Sequence, residues 1–267
     1  MIRADKILAF SALLISFGIY LGSLANTVSF FDSGELISGA ATLGISHPPG
    51  YPLYILTGHI FSYLPIGNLA FRINMCSALF GALAVFVIYF IAVQLLSTLF
   101  KDNDYRIKFT AFSTALIFAL SLNHWGQTNM SEVYALNTFL VALLIFILIL
   151  WREKALSQDR TGKNNLSSWL YLFSFLFGLG FGDHHTILVM VPAFLFVIFI
   201  TKWQLSAEIK GLPKMFCLLR IDIKVLCLLI LFFLLGFSVY LYLPIRSSVD
   251  IIMNWGDPDT FEQFRWM

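Results

Sequence analysis

The feature that most constrains this chain is a series of long apolar runs separated by short loops that hold most of its basic residues. Runs lie near 7–28, 73–99, 133–151 and 225–243, with shorter ones near 109–123, 168–182 and 186–201. A helix crosses a bilayer with about 20 mostly apolar residues. The pattern therefore predicts an all-α integral membrane protein with about seven transmembrane helices. Hydrophobic residues make up 59% of the 267, charged residues only 12%, and phenylalanine alone occurs 28 times. A soluble domain of this length has too little polar surface to cover such a load. The same numbers exclude a disordered chain, and no concentrated basic face exists for a nucleic-acid partner. The three cysteines, Cys76, Cys217 and Cys227, have no metal-type spacing and imply neither a disulfide framework nor a zinc site. The first run follows Arg3 and Lys6 as a signal peptide would. It is long for one, and no small-residue cleavage site follows, so it reads as a retained helix.

Fourteen of the 17 lysines and arginines precede the first run or fall in the loops 101–108, 152–163 and 202–224, leaving Arg72, Arg246 and Arg265 elsewhere. Cytoplasmic loops are enriched in Lys and Arg, which places the amino terminus in the cytoplasm and the chain after 243 outside. Residues 51–64 are also apolar, but a crossing there would carry Lys101, Arg106 and Lys108 outside. The segment follows His47-Pro48-Pro49-Gly50, which breaks a helix, so it is read as a helix lying along the outer interface. Residues 168–201 fit two short helices or a re-entrant pair, with Pro192 kinking the second.

On this topology the ionisable residues form one outer layer. All five histidines (His47, His59, His124, His184 and His185) belong to it, as do Asp32, Glu35, Glu132 and Asp183. Such a cluster beside a membrane is a functional-site hypothesis. Asp32 and Glu35 are three residues apart. They read either as a capping-box pair starting a helix or as a general base and its neighbour, partly withdrawn from water. His47 opens a rigid Pro-Pro turn. Glu132 lies in a loop with His124, Gln127 and Asn129. Asp183-His184-His185, bounded by Gly180 and Gly182, suits phosphate or metal contact. Arg246 reads either as an interfacial snorkelling residue or as a phosphate fork. Asn254-Trp255-Gly256-Asp257-Pro258 predicts a turn into a helix with Asp257 as N-cap.

The ordered set DSGE (32–35), HPPGYPLY (47–54), Arg72-x-Asn74, SEVYALN (131–137), GDHHTIL (182–188), YLPIR (242–246) and NWGDP (254–258) carries a resemblance. It resembles a multi-span family linked to a eukaryotic protein O-mannosyltransferase of the endoplasmic reticulum, and with it the C-type (GT-C) glycosyltransferases. The resemblance runs from about residue 20 to the end. It implies a GT-C-like membrane module over 1–267, the N-terminal part of a longer enzyme. It also implies a polyprenyl-phosphate-sugar donor, a hexose such as mannose, and an exported protein or glycan as acceptor. Asp32 and Glu35 would be catalytic, and His47, Glu132, Asp183, His184, His185 and Arg246 would contact substrate or phosphate. A divalent metal at Asp32 and Glu35 is a further expectation. The location would be a bacterial inner membrane or the endoplasmic reticulum, with the site facing outward. The alternatives are a multi-span lipid or solute transporter, or a non-catalytic membrane assembly protein. Transporters place binding residues near the midplane, often in inverted repeats, and neither feature is evident here.

Overall fold

The structure is a computed structural model that describes residues 3–100, 105–157, 166–207 and 222–267. Lys101, Arg160, Lys163, Lys210, Lys214, Arg220 and Cys217 lie outside the described residues. Among the described residues the chain is helical. The elements are α1 (Arg3–Ser23), α2 (Ser33–Thr42), α3 (Pro52–Ser62), α4 (Leu69–Leu99), α5 (Tyr105–Ala119) and α6 (Leu122–Thr128). They continue as α7 (Tyr134–Ser157), α8 (Leu166–Phe181), α9 (Val191–Ala207), α10 (Ile223–Phe237), α11 (Tyr242–Ser247) and α12 (Phe261–Trp266). Two 3-10 segments, His185–Met190 and Ser238–Leu241, precede α9 and α11.

Five described segments are long and apolar enough to cross a membrane: Asp5–Ser23, Leu69–Leu99, Tyr134–Ser157, His185–Leu205 and Ile223–Ser247. The other two expected crossings, α5 and α8, are helices of only 15 and 16 residues, short of the usual spanning length. The apolar segment expected along an interface is a separate helix, α3, with Pro52 in its first turn. There the missing N–H leaves no intrahelical bond unmade. Pro192 is the second residue of α9 and starts that helix rather than kinking it.

Small residues let the long helices approach. Ala9 and Ala12 of α1, Ala78 and Ala82 of α4, and Ala111 and Ala115 of α5 are fully buried in one shared core, a common arrangement where lipid provides no hydrophobic drive between helices. A second core joins α7, α8 and α9 through Leu144, Leu148, Trp151 and Phe194. Helices α8 and α10 cross on glycines. A Cβ on Gly178 would lie 2.2 Å from the Phe233 carbonyl oxygen, and one on Gly236 would lie 2.0 Å from that of Phe175. Any larger residue at either position separates the two backbones.

Helices α1 and α5 begin at the same end of the bundle, where α4 and α7 finish. There Lys108 of α5 pairs with buried Asp5 of α1 at 3.3 Å, and Gln94 of α4 bonds Glu153 of α7. Arg152 bonds Gln204 at 3.0 Å, and Lys154 lies over the Trp169 ring. These helix ends are the ones that the charge distribution assigns to the cytoplasm. The opposite end carries α2, α3, α6, α11 and α12. It is held by buried Asn74, whose amide donates to the Ala25 and Thr27 carbonyls (2.8 and 3.2 Å) and accepts from the N–H and hydroxyl of Ser131 (2.8 and 2.6 Å).

Candidate functional site

The α1–α2 loop delivers Asp32 to the polar end of the bundle. Phe31, just before it, adopts a left-handed backbone (φ 57). Asp32 occupies the N-cap of α2, but its side chain makes no capping bond. Glu35, in the first turn, does not reach back as a capping box would. Both of its oxygens go instead to His47, accepting from the backbone N–H at 2.5 Å and meeting Nδ1 at 2.9 Å. The capping-box reading is therefore corrected. Leu43 ends α2 in a left-handed conformation, and the turn in which Gly50 donates to the His47 carbonyl folds His47 back over the helix start. His47 offers Glu35 two donors, the peptide N–H and Nδ1–H, where a capping box offers one.

With Nδ1–H donated to Glu35, the partners assign His47 the tautomer whose Nε2 accepts. Its acceptor lone pair takes the Tyr51 hydroxyl at 2.9 Å, and Asp32 lies 4.0 Å from the same nitrogen. Tyr51 is the residue before α3 and is itself left-handed (φ 47), so two strained non-glycine residues flank the cluster. Burial, with the nearby carboxylates, pushes the Tyr51 hydroxyl above its ordinary range. Its ring stacks on His184 at 6.0 Å and 16°, and Tyr134 packs against His184 at 5.3 Å.

Glu132 approaches from the α6–α7 loop. Its Oε1 accepts from the Asp32 N–H at 3.2 Å. The backbone of Glu132 is bonded on both sides to Ser77, which Tyr54 also contacts. Only 2% of Glu132 is exposed. Burial, followed by the Asp32 charge, raises its carboxyl to about 7 against the opposing Asp32 N–H and His47.

Asp32, Glu35, His47, Glu132 and His184 thus converge. The other expected residues stand apart. Asp183 is fully buried, with neither carboxylate oxygen bonded among the described residues, and burial raises it well above the ordinary range. His185 bonds the Tyr240 hydroxyl at 2.7 Å. Arg246 spends Nε and Nη2 on the Leu43 and Thr42 carbonyls at 2.9 and 3.4 Å, closing the end of α2. His184 accepts at Nδ1 from the Thr186 N–H and meets its hydroxyl, so Nε2 carries the proton. Burial and the two neighbouring histidines lower its pKa, favouring the neutral ring. Asp257 is not a helix N-cap. It is left-handed and binds Ser247 and Asn254 at 2.7 Å each, while Thr260 caps α12. Tyr51 and Tyr134 are not evident as site residues from their type. The available signals are their places in HPPGYPLY and SEVYALN and the position of Tyr51, four residues after His47 across the turn.

Asp32, Glu35 and His47 each offer a ligand atom within 4.8 Å of the others, a spacing that suits a divalent cation. Glu35 already engages the ring from behind, as the outer carboxylate of a metal-bound histidine does. Binding a cation at Nε2 would require the Tyr51 hydroxyl to move.

No solved structure matches the chain. The mouse (Mus musculus) protein O-mannosyl-transferase TMEM260 is 29% identical over 235 residues, covering 87% of this chain and 29% of the mouse protein. The Dictyostelium discoideum protein O-mannosyl-transferase tmem260 is 29% identical over 255 residues, covering 92% and 28%. The chain therefore spans less than a third of the length of these relatives. A family model described as the protein O-mannosyl-transferase TMEM260 N-terminal domain matches residues 32–207, which include Asp32, Glu35, His47, Glu132 and His184. With two thirds of its length matched, the chain belongs to the TMEM260 N-terminal-domain family.

Proposed function

We propose that this chain is the catalytic membrane module of a GT-C-like glycosyltransferase that moves a hexose, mannose by its relatives' names, from a polyprenyl-phosphate carrier to a serine or threonine hydroxyl of an exported protein. The observation that carries the reading is the meeting of Asp32 with the Glu35–His47 pair and Glu132 at one end of the helical bundle, in a chain of this family. This module would contribute about seven spans, with its amino terminus in the cytoplasm and this site facing the endoplasmic reticulum lumen or the bacterial periplasm.

Asp32 is the base. Its carboxylate is half exposed and free of capping duty, so it can reach an incoming hydroxyl. It takes the hydroxyl proton as the acceptor oxygen attacks the anomeric carbon from the side opposite the phosphate. The bond from that carbon to the phosphate oxygen breaks, and polyprenyl phosphate leaves with the bonding electrons, inverting the centre. Glu35 positions His47, and His47 with Tyr51 forms one wall of the site. The Nε2–H of His184 stabilises charge developing on the phosphate, the contribution expected of a fixed donor in a water-poor site. The test is Asp32→Asn in the full-length protein. A transfer rate reduced by roughly a hundredfold or more is expected on loss of a general base, and an unchanged rate removes Asp32 from that role.

A further inference from the structure

The proposed chemistry assigns no step to Glu132 or Asn74, although both lie in motifs of the outer loops, SEVYALN and Arg72-x-Asn74. In the fold the two belong to one frame. Asn74 and Ser77 are three residues apart on α4 and so share a face. Asn74 holds the carbonyls of Ala25 and Thr27 and the N–H and hydroxyl of Ser131. One turn further on, the Ser77 hydroxyl accepts from the Glu132 N–H at 3.3 Å, donates to the Glu132 carbonyl at 3.1 Å and meets the Tyr54 hydroxyl at 3.1 Å. With Tyr54 donating, the one proton and both lone pairs of Ser77 are used. Asn74, Ser77 and Tyr54 are fully buried, so the backbone of Glu132 is anchored to the middle of the bundle.

The loop that carries Asp32 is tied down before it reaches that residue. Asn74 holds its first part, Asn68 donates to the Asn26 carbonyl at 2.6 Å, and the Ser33 hydroxyl accepts the Ser29 N–H at 3.3 Å. The next two residues stand out from the fold. Phe30 and Phe31 are 81% and 82% exposed. Phe31 is also left-handed, a conformation that a non-glycine residue keeps only where its surroundings enforce it. An exposed ring does not enforce it. The peptide that follows Phe31 is held instead, because Glu132 Oε1 accepts the Asp32 N–H at 3.2 Å. Glu132 is almost wholly buried, which leaves it little surface to offer a substrate.

We propose that Glu132 is the positioning residue of the base: anchored on α4 through Ser77, its side chain fixes the Phe31–Asp32 peptide and so aims the Asp32 carboxylate at the acceptor hydroxyl. The proposal rests on the transferase reading and deepens it. Glu132 touches neither donor nor acceptor and acts through the backbone of Asp32 alone. A base must lie within hydrogen-bond reach of the proton it takes, and a displacement of about 1 Å can cost as much as a lost catalytic contact. A base on an exposed loop therefore needs a fastening at its own residue as well as at the loop's start.

The test compares Glu132→Leu with Glu132→Gln in the full-length protein, reading mannose transfer from polyprenyl-phosphate mannose to a threonine-containing peptide. Leucine cannot accept the Asp32 N–H, and glutamine can. Glu132→Leu should lower kcat roughly tenfold, the worth of one hydrogen bond, and leave both KM values unchanged. Glu132→Gln should recover most of that loss. Added to Asp32→Asn, Glu132→Leu should cost nothing further, because it acts only through the base. Hydrogen exchange in lipid nanodiscs should be faster across residues 28–36 in Glu132→Leu and unchanged in α4 and α7. An unchanged kcat, a raised KM, a loss that glutamine does not recover, an equal loss on top of Asp32→Asn, or unchanged exchange across 28–36 overturns the proposal. Should Glu132→Leu fail to fold, Ser77→Ala decides, since it releases the backbone of Glu132 and should give the same fall in kcat and the same faster exchange. Transfer that survives Asp32→Asn overturns the transferase base and this proposal together. Transfer lost in Asp32→Asn but kept in full by Glu132→Leu overturns this proposal alone.

Discussion

Replacing Glu132 with glutamine should stabilise the protein at pH 8 and change little at pH 4. Burial and the Asp32 charge hold the Glu132 carboxyl near 7 in the folded protein, against an ordinary value of 4.5. Below about 4.5 both folded and unfolded chains carry the proton and nothing is lost. Between 4.5 and 7 the unfolded chain has released it while the folded chain keeps it, so stability falls as pH rises. Above 7 both are ionised and the full cost of the buried charge remains, about 3 kcal/mol from the difference between the two values. Glutamine removes that charge and keeps an oxygen for the Asp32 N–H, while the bonds to Ser77 are made by the backbone. The assay is unfolding of both proteins in one detergent across pH 4–9. The variant should gain progressively between pH 4.5 and 7 and hold its advantage above, with about 3 kcal/mol as the ceiling. A difference that does not vary with pH, or a wild type more stable at pH 8, refutes the argument.

Asn74→Leu should cost more than about 3 kcal/mol, because it leaves buried groups of Ala25, Thr27 and Ser131 unmet. Denaturant unfolding within about 1 kcal/mol of wild type would contradict the role given to that amide. Asp183→Asn should unfold like wild type below the ordinary carboxyl value of 3.8 and gain on it progressively as pH rises above that value, since burial makes the folded chain hold a proton that the unfolded chain has released; a clear loss of stability at pH 7 would show that Asp183 is charged and paired. Chelator-treated full-length protein should retain transfer, because both Glu35 oxygens and both His47 ring nitrogens already have partners. Loss of activity that returns with added Mn²⁺ or Mg²⁺ would establish the alternative, a cation at Asp32 and His47.

The residues that meet at the site were legible one by one, but their pairings were not. Asp32 and Glu35 fit a capping box by spacing, yet the carboxylate of Glu35 found a partner 12 residues on. The left-handed end of α2 and the turn after His47 return the chain there. Arg246 has the chemistry of a phosphate fork, but α11 carries it to the open carbonyls of α2. Asp183 sits between two histidines and a glycine in the sequence, yet packing removes its carboxylate from solvent and leaves both oxygens without a hydrogen-bond partner among the described residues. Asp257 and Pro258 have the composition of a helix start, and the helix begins three residues after Pro258. Glu35 and Arg246, each with acceptable local partners, were taken by groups distant in sequence.

By itself the sequence determined the class of solvent and the places where apolar helices form. Preference for lipid and for helix is summed over neighbouring residues, so α1, α4, α7, α9 and α10 follow their own composition, and α3 follows the turn before it. The tertiary structure decided which polar groups share the site and which serve as fastenings. That choice depends on through-space distances of a few ångströms between residues up to about 200 positions apart, such as Arg246 and the end of α2. It depends equally on burial, which separates a half-exposed Asp32 from an enclosed Glu132 and Asp183. Three carboxylates alike in sequence thereby become a half-exposed group without a capping bond, an acid held near 7 and a buried group raised well above the ordinary carboxyl range.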